Sequence, residues 1–176
     1  MKTLKNIILL GLTVILFTAC QNKPERFTTS STEIDEVKAL IKDYHDGNWE
    51  AWKTHYADTA KIYHNTWKKT ATLDETIVNL KGFIANTSSY GFGESEDNIF
   101  YEKIINDQGQ TWVYFWGNWK GTLAANTMEL EIPVHLALQM VDGKIVTEFG
   151  FYNIDEFTAA LQEIEAAKMV NEVVTD

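Results

Sequence analysis

Every second residue between 128 and 140 is apolar: Met128, Leu130, Ile132, Val134, Leu136, Leu138 and Met140. Side chains alternate across a strand, so this period of two makes one long strand with one apolar face. Asp142-Gly143 follows at once as a two-residue hairpin signal, and residues 144–152 return as the partner strand. Pro133 has no N–H to give to a ladder, which predicts a bulge or a free edge there. Upstream, residues 111–122 read as an aromatic strand holding Trp112, Tyr114, Trp116 and Trp119. Residues 99–106 read as its neighbour, with Asp107-Gln108-Gly109 as the turn between them.

The first half has a different period. Thr32 with Asp35 reads as a capping box, followed by Val37, Leu40, Ile41 and Tyr44 at helical spacing, and Gly47 stops the helix. Asn48 caps a second helix in which Trp49, Trp52 and Tyr56 share a face. Residues 60–65 read as a short strand, and Thr72 with Glu75 caps a third helix carrying Leu73, Ile77, Leu80 and Ile84. Residues 86–98 are polar, hold Gly91 and Gly93, and read as a long loop. Asn153 with Glu156 opens a final helix with Phe157, Leu161 and Ile164. Helices first and hairpin-linked strands later give an α+β class: a curved antiparallel sheet wrapped around N-terminal helices, closed by a C-terminal helix. One domain over residues 33–167 is expected, with residues 168–176 as a tail.

The leading residues stand apart. Lys2 and Lys5 precede an apolar run, residues 7–17, that is short for a membrane span but right for the core of a signal peptide. The run ends in Phe17-Thr18-Ala19-Cys20 and turns polar at once, resembling a bacterial lipobox with an unusual Phe17. Residues 1–19 are thus expected to be a removable leader and Cys20 a lipidated anchor; the other reading is an ordinary secretory signal with an incidental Cys. Residues 20–32 read as a tether, and the address as the bacterial cell envelope, on the outer membrane or its periplasmic face.

Charge and cysteine count exclude several classes. Fifteen Lys and Arg against 25 Asp and Glu give a net charge of −10, and removal of Lys2 and Lys5 with the leader takes it to −12. Nucleic acid is therefore not an expected partner, and anionic lipid would repel the domain, leaving Cys20 as the only membrane attachment. One Cys makes no internal disulfide. No His-x-x-x-His pair, phosphate-binding Gly loop, Gly-x-Ser-x-Gly elbow or calcium loop is present, so no cofactor or metal is predicted.

Three stretches carry a family resemblance. They are Gly47-Asn48-Trp49-Glu50-Ala51-Trp52 running into Tyr56-Ala57-Asp58-Thr59-Ala60, the helix over residues 73–84, and Val141-Asp142-Gly143-Lys144-Ile145-Val146. In this order they resemble the SnoaL-like, nuclear transport factor 2-like superfamily over residues 34–164. The resemblance implies a cone-shaped pocket between helices and a bent sheet, and often a dimer formed through the sheet. It also places the carboxylate base of ketosteroid isomerase at His64. The isomerase's helix-one Tyr falls on Leu40, which cannot donate a hydrogen bond; Tyr44, one turn along, is the substitute candidate. The second oxyanion donor falls on His135 or Leu136, and the acid/base Asp that ends the last strand of many SnoaL-like chains is Asn153 here. An amide orients a ligand but transfers no proton at neutral pH.

Each candidate has a plainer reading. His64 shares a strand face with Ile62 and is either a general base in the pocket or a core His with a backbone or Tyr partner. His135 is out of phase with the apolar face, which favours an exposed or interface position, and Asn153 is explained as a helix cap. Trp116 and Trp119, like Trp112 and Tyr114, either line a ligand pocket or fill it. His45 and His55 are expected to be solvated. The expectation is an exported, lipid-anchored domain that takes a small, partly apolar ligand into its cone. His64 and Tyr44 are the candidate base and polariser, and Trp116, Trp119, His135 and Asn153 the candidate ligand contacts. The alternative is a non-catalytic interaction or homodimerisation module with a filled cone. For the anchor, labelled palmitate should be incorporated by the wild type and lost in Cys20→Ser; label retained in the variant refutes lipidation.

Overall fold

The computed structural model describes residues 25–93 and 99–175, so the leader and Cys20 lie outside the described residues. Strand β1 (Phe27–Thr28) precedes helices α1 (Thr32–Asp46) and α2 (Trp49–Thr54). Strand β2 (Tyr56–His64), helix α3 (Leu73–Ile84) and strand β3 (Thr87–Phe92) follow. Strands β4 (Ile99–Ile105), β5 (Thr111–Leu123), β6 (Glu129–Val141) and β7 (Lys144–Tyr152) then run into helix α4 (Asp155–Thr175). No described helix is both long and apolar enough to cross a membrane.

The strands form one curved, unclosed sheet in the order β1-β4-β5-β6-β7-β2, with β3 sharing the β4 side of β5. All pairs are antiparallel except β2 with β7, which makes the sheet mixed. Strand β2, though early in the chain, lies at the far edge beside β7 and runs in the same direction. Positive φ angles at Asp142 (49°) and Gly143 (75°) build the predicted tight turn. Pro133 lies one residue past the last β7 partner, Val134↔Tyr152, on the part of β6 with a free edge. The irregularity in this pair is elsewhere: Met140 faces Ile145 and Gln139 faces Thr147, leaving Val146 unpaired.

The inner sheet face carries Val113, Phe115, Trp119, Leu130, Ile132 and Leu138, packed on Ile34, Val37, Leu40 and Ile41 of α1. Each such buried side chain contributes about 2 kcal/mol of transfer free energy. On β5 a Cβ at Gly117 would stand 2.4 Å from the Phe115 ring and 2.8 Å from Phe92, so the close approach of these rings requires glycine.

Several sequence expectations are corrected. The α1 cap is Ser31, whose hydroxyl accepts from the Ile34 N–H at 3.3 Å, rather than Thr32. Helix α2 ends at Thr54, so Tyr56 opens β2 instead of sharing a helical face with Trp52. The stretch read as a long loop contains β3, hydrogen-bonded along Trp119–Leu123 of β5. Part of the expected tether is attached: Phe27 and Thr28 pair with Ile104 and Lys103, and Arg26 forms an ion pair with Asp107 at 2.7 Å. Helix α4 runs through the segment expected as a tail.

His55 is the sharpest correction. It is 7% exposed, with Nδ1 2.8 Å from Glu36 and Nε2 2.8 Å from Asp43. The two carboxylates lie seven residues apart on one face of α1 and bracket the ring.

Helix α1 is also tied to β4, where Lys103 Nζ donates to Glu33 at 2.6 Å. This hydrogen bond to Lys103, partly opposed by burial, lowers the Glu33 carboxyl from 4.5 to about 2. A carboxyl held below its unfolded value stabilises the fold above that value and loses the contribution as pH falls through the folded one. The melting temperature should therefore fall between about pH 4.5 and 2 more steeply in the wild type than in Lys103→Met. Parallel slopes would show that the pair contributes nothing.

Candidate functional site

Two strands meet at the site. His64 ends β2 and pairs with Gly150 of β7, while Ile62, two residues earlier on the same face, pairs with Glu148. A Cβ at residue 150 would stand 2.7 Å from His64 Cδ2, so glycine there lets the imidazole lie across the neighbouring strand. His64 Nε2 then comes 2.8 Å from Glu148 Oε1, and the Tyr56 hydroxyl donates to Oε2.

Glu148 is only 3% exposed. A carboxylate this deep needs donors, and here they are one phenol and one imidazole. Burial, followed by the charge of Glu148, raises Tyr56 well above the ordinary phenol range. The same causes push Tyr152 up to about 12. Both hydroxyls remain protonated donors at neutral pH. With Nε2–H directed at the carboxylate, a neutral His64 carries its lone pair on Nδ1, for which no partner is recorded among the described residues.

These groups line a cavity of about 270 Å³ between the sheet, α1 and α3, with walls from Tyr44, Trp52, Phe83, Trp119, Leu136 and Tyr152. Its volume is just below the range of roughly 300–1,000 Å³ typical of sites for drug-sized ligands. The cone is neither filled nor large. A shallower groove of about 560 Å³, holding Thr66, Lys69, Thr70 and Asn79, shares His64 and Asn79 with the cavity. His64 thus stands at the junction of an apolar interior and a polar surface.

Tyr44 lies on the α1 side. Its oxygen accepts from the Trp119 indole N–H at 3.0 Å, which leaves the hydroxyl proton free to donate, and burial raises its pKa. The indole polarises the phenol in the direction that strengthens that donation. A basic nitrogen and a hydroxyl donor therefore line one cavity, with Trp119 supporting the donor.

The other candidate contacts lie elsewhere. Trp116 and His135 are cross-strand neighbours on the outer sheet face, with rings stacked at 3.8 Å. His135 Nδ1 is 3.1 Å from the Phe115 carbonyl, and burial lowers its pKa. Asn153 is exposed; its side chain accepts from the Asp155 N–H at 2.8 Å and so organises the start of α4. Glu148 was missed for a definite reason. Alternation counted from Ile145 puts residue 148 outside, and the unpaired Val146 reverses the phase so that both are buried. Among the described residues, no three His, Cys, Asp or Glu side chains are grouped to hold a metal ion.

No protein-family model matches the sequence, and no curated protein matches it. Solved structures do match in shape. A protein from Xanthomonas campestris pv. campestris assigned as a polyketide cyclase superposes with a TM-score of 0.58 at 16% identity, covering 75% of this chain and 98% of its own. PrhC from Penicillium brasilianum gives a TM-score of 0.60 at 13% identity, with coverages of 81% and 93%. The chain has the SnoaL-like fold. A Catenulispora acidiphila protein with a ketosteroid isomerase-like fold, solved in complex with trimethylamine, matches at a TM-score of 0.52 and 12% identity over 68% of this chain and 85% of its own. At these identities the likeness of the SnoaL-like cones is one of fold, and their chemistry is a separate matter.

Proposed function

We propose that this chain is an exported SnoaL-like domain, anchored in the bacterial cell envelope through lipidated Cys20, that binds a small, partly apolar carbonyl compound in its cone. There it catalyses proton transfer. The observation that carries the reading is the His64–Glu148 pair at 2.8 Å on the wall of a cavity that also holds the Tyr44 hydroxyl. His64 Nδ1 removes a proton from the carbon next to the carbonyl, and the electrons move onto the carbonyl oxygen. Tyr44 donates a hydrogen bond to that oxygen as charge develops on it. Glu148 stabilises the imidazolium that forms and fixes the ring tautomer, acting as a positioning residue. Return of the proton to a different carbon completes an isomerisation; its delivery to a departing hydroxyl completes a dehydration.

The test uses 2-tetralone in D₂O, with exchange of its α-protons followed by NMR. The wild type should accelerate exchange, His64→Gln should lower the rate about 100-fold or more, and Tyr44→Phe should lower it as well. No acceleration by the wild type removes the catalytic reading.

A second reading rests on the outer sheet face, which points to a homodimer. Phe100, Trp116, His135 and Phe151 align across four strands, and Tyr114, Phe149 and Tyr63 form the next row. Trp67, 72% exposed, packs against Phe149 with the rings tilted and 4.6 Å apart. Glu102 lies toward the β4 side of this face and Lys61 toward the β2 side, so a partner related by a twofold axis running along the strands would bring opposite charges together. The buried Trp112 indole N–H has no hydrogen-bond partner among the described residues. Sedimentation should show a dimer that Trp116→Lys converts to monomer; a monomeric wild type removes this reading.

A further inference from the structure

The chemical class of the ligand follows from the charge of the cavity, on the reading that the cavity is a ligand site. Glu148 lies in its wall at 3% exposure, and no Lys or Arg is among the described residues that line it. The ionisable groups facing the carboxylate are Tyr56, His64 and Tyr152, with Tyr44 further along the wall. The tyrosines are protonated and neutral, so with His64 in its neutral form the cavity holds one uncompensated negative charge. In a medium of low dielectric such a charge draws in a compensating cation. Tyr152, four residues along β7 from Glu148, is held up to about 12 by burial first and by the charge of Glu148 second.

The rest of the lining fits the same class. Tyr44, Trp52, Tyr56, Phe83, Trp119 and Tyr152 surround the space with aromatic rings, whose faces attract a desolvated cation. Trp52 and Tyr56 lie 4.6 Å apart, and Phe83 and Trp119 5.0 Å apart, so these rings pack in pairs around the space. A metal ion or a guanidinium needs several oxygen acceptors in fixed directions, and here a single carboxylate is already engaged by two donors. An organic ammonium with apolar substituents needs only the charge and the rings. The acidic molecule as a whole, at −10, favours approach of a cation and disfavours an anion.

We propose that the cavity selects an organic cation, a protonated or quaternary amine with an apolar body, held between the aromatic walls and the buried Glu148 carboxylate.

The test compares phenyltrimethylammonium with tert-butylbenzene, which match in shape and differ in charge, by calorimetric titration of the purified chain near neutral pH. Phenyltrimethylammonium should bind about tenfold more tightly or better. Glu148→Gln should abolish that preference while tert-butylbenzene affinity stays within about twofold. Equal or tighter binding of tert-butylbenzene to the wild type overturns the cation assignment and leaves the cavity as a ligand site. Failure of both probes to bind overturns the assignment and the ligand site together. Because the wild-type pair decides by itself, poor folding of Glu148→Gln does not rescue the proposal.

Discussion

The pairing of β5 with β6, from Thr111↔Met140 to Thr122↔Glu129, is the constraint on which the rest of the molecule depends. Twelve consecutive partners hold two long strands in one register, and that register assigns every side chain to one of two faces. Val113, Phe115 and Trp119 go inward with Leu136 and Leu138, where they meet α1 and form the cone. Trp112, Tyr114 and Trp116 go outward with His135. A slip of one residue would exchange the two sets and bring the polar partners of β6 into the core.

Much of this was legible because it is written in periods. The alternation over residues 128–140, the Asp142-Gly143 turn and the Thr72/Glu75 capping box are local signals, and each is realised where it was read. For His135 the count leaves the face open, since Pro133 can reset the phase; its ring stacks on Trp116 across the strand pair. What escaped depends on long-range geometry. Strand β3 is short and polar and is defined by its hydrogen bonds to β5, about 30 residues away. His55 looks like an ordinary surface residue until α1 and α2 pack and two carboxylates of α1 close on it. Glu148 was hidden by one unpaired residue that no alternation count anticipates.

The Tyr56–Glu148–His64 network is costly to keep. Apolar groups of similar shape would pack the same space without the desolvation of a carboxylate, so its contribution to stability is a weak reason for its presence. What the network does provide is a defined tautomer and a fixed ring orientation at the junction of two compartments. Gly150, which gives up a side chain so that His64 can lie over β7, belongs to the same arrangement. His64 and Asn79 are the two residues that the groove and the cavity have in common.

The two-residue strand β1 has a consequence for where the domain stands. Pairing of Phe27 and Thr28 with β4, together with the Arg26–Asp107 bridge, fixes the chain to the domain six positions after Cys20. Even fully extended, that connection spans only about 20 Å. With the proposed lipid on Cys20, the domain is a low-riding body whose sheet edge stays near the bilayer surface. Its search for ligands and partners is then lateral, confined to a layer about as thick as the domain itself, and its effective concentration is set by the area of membrane rather than the volume of the compartment.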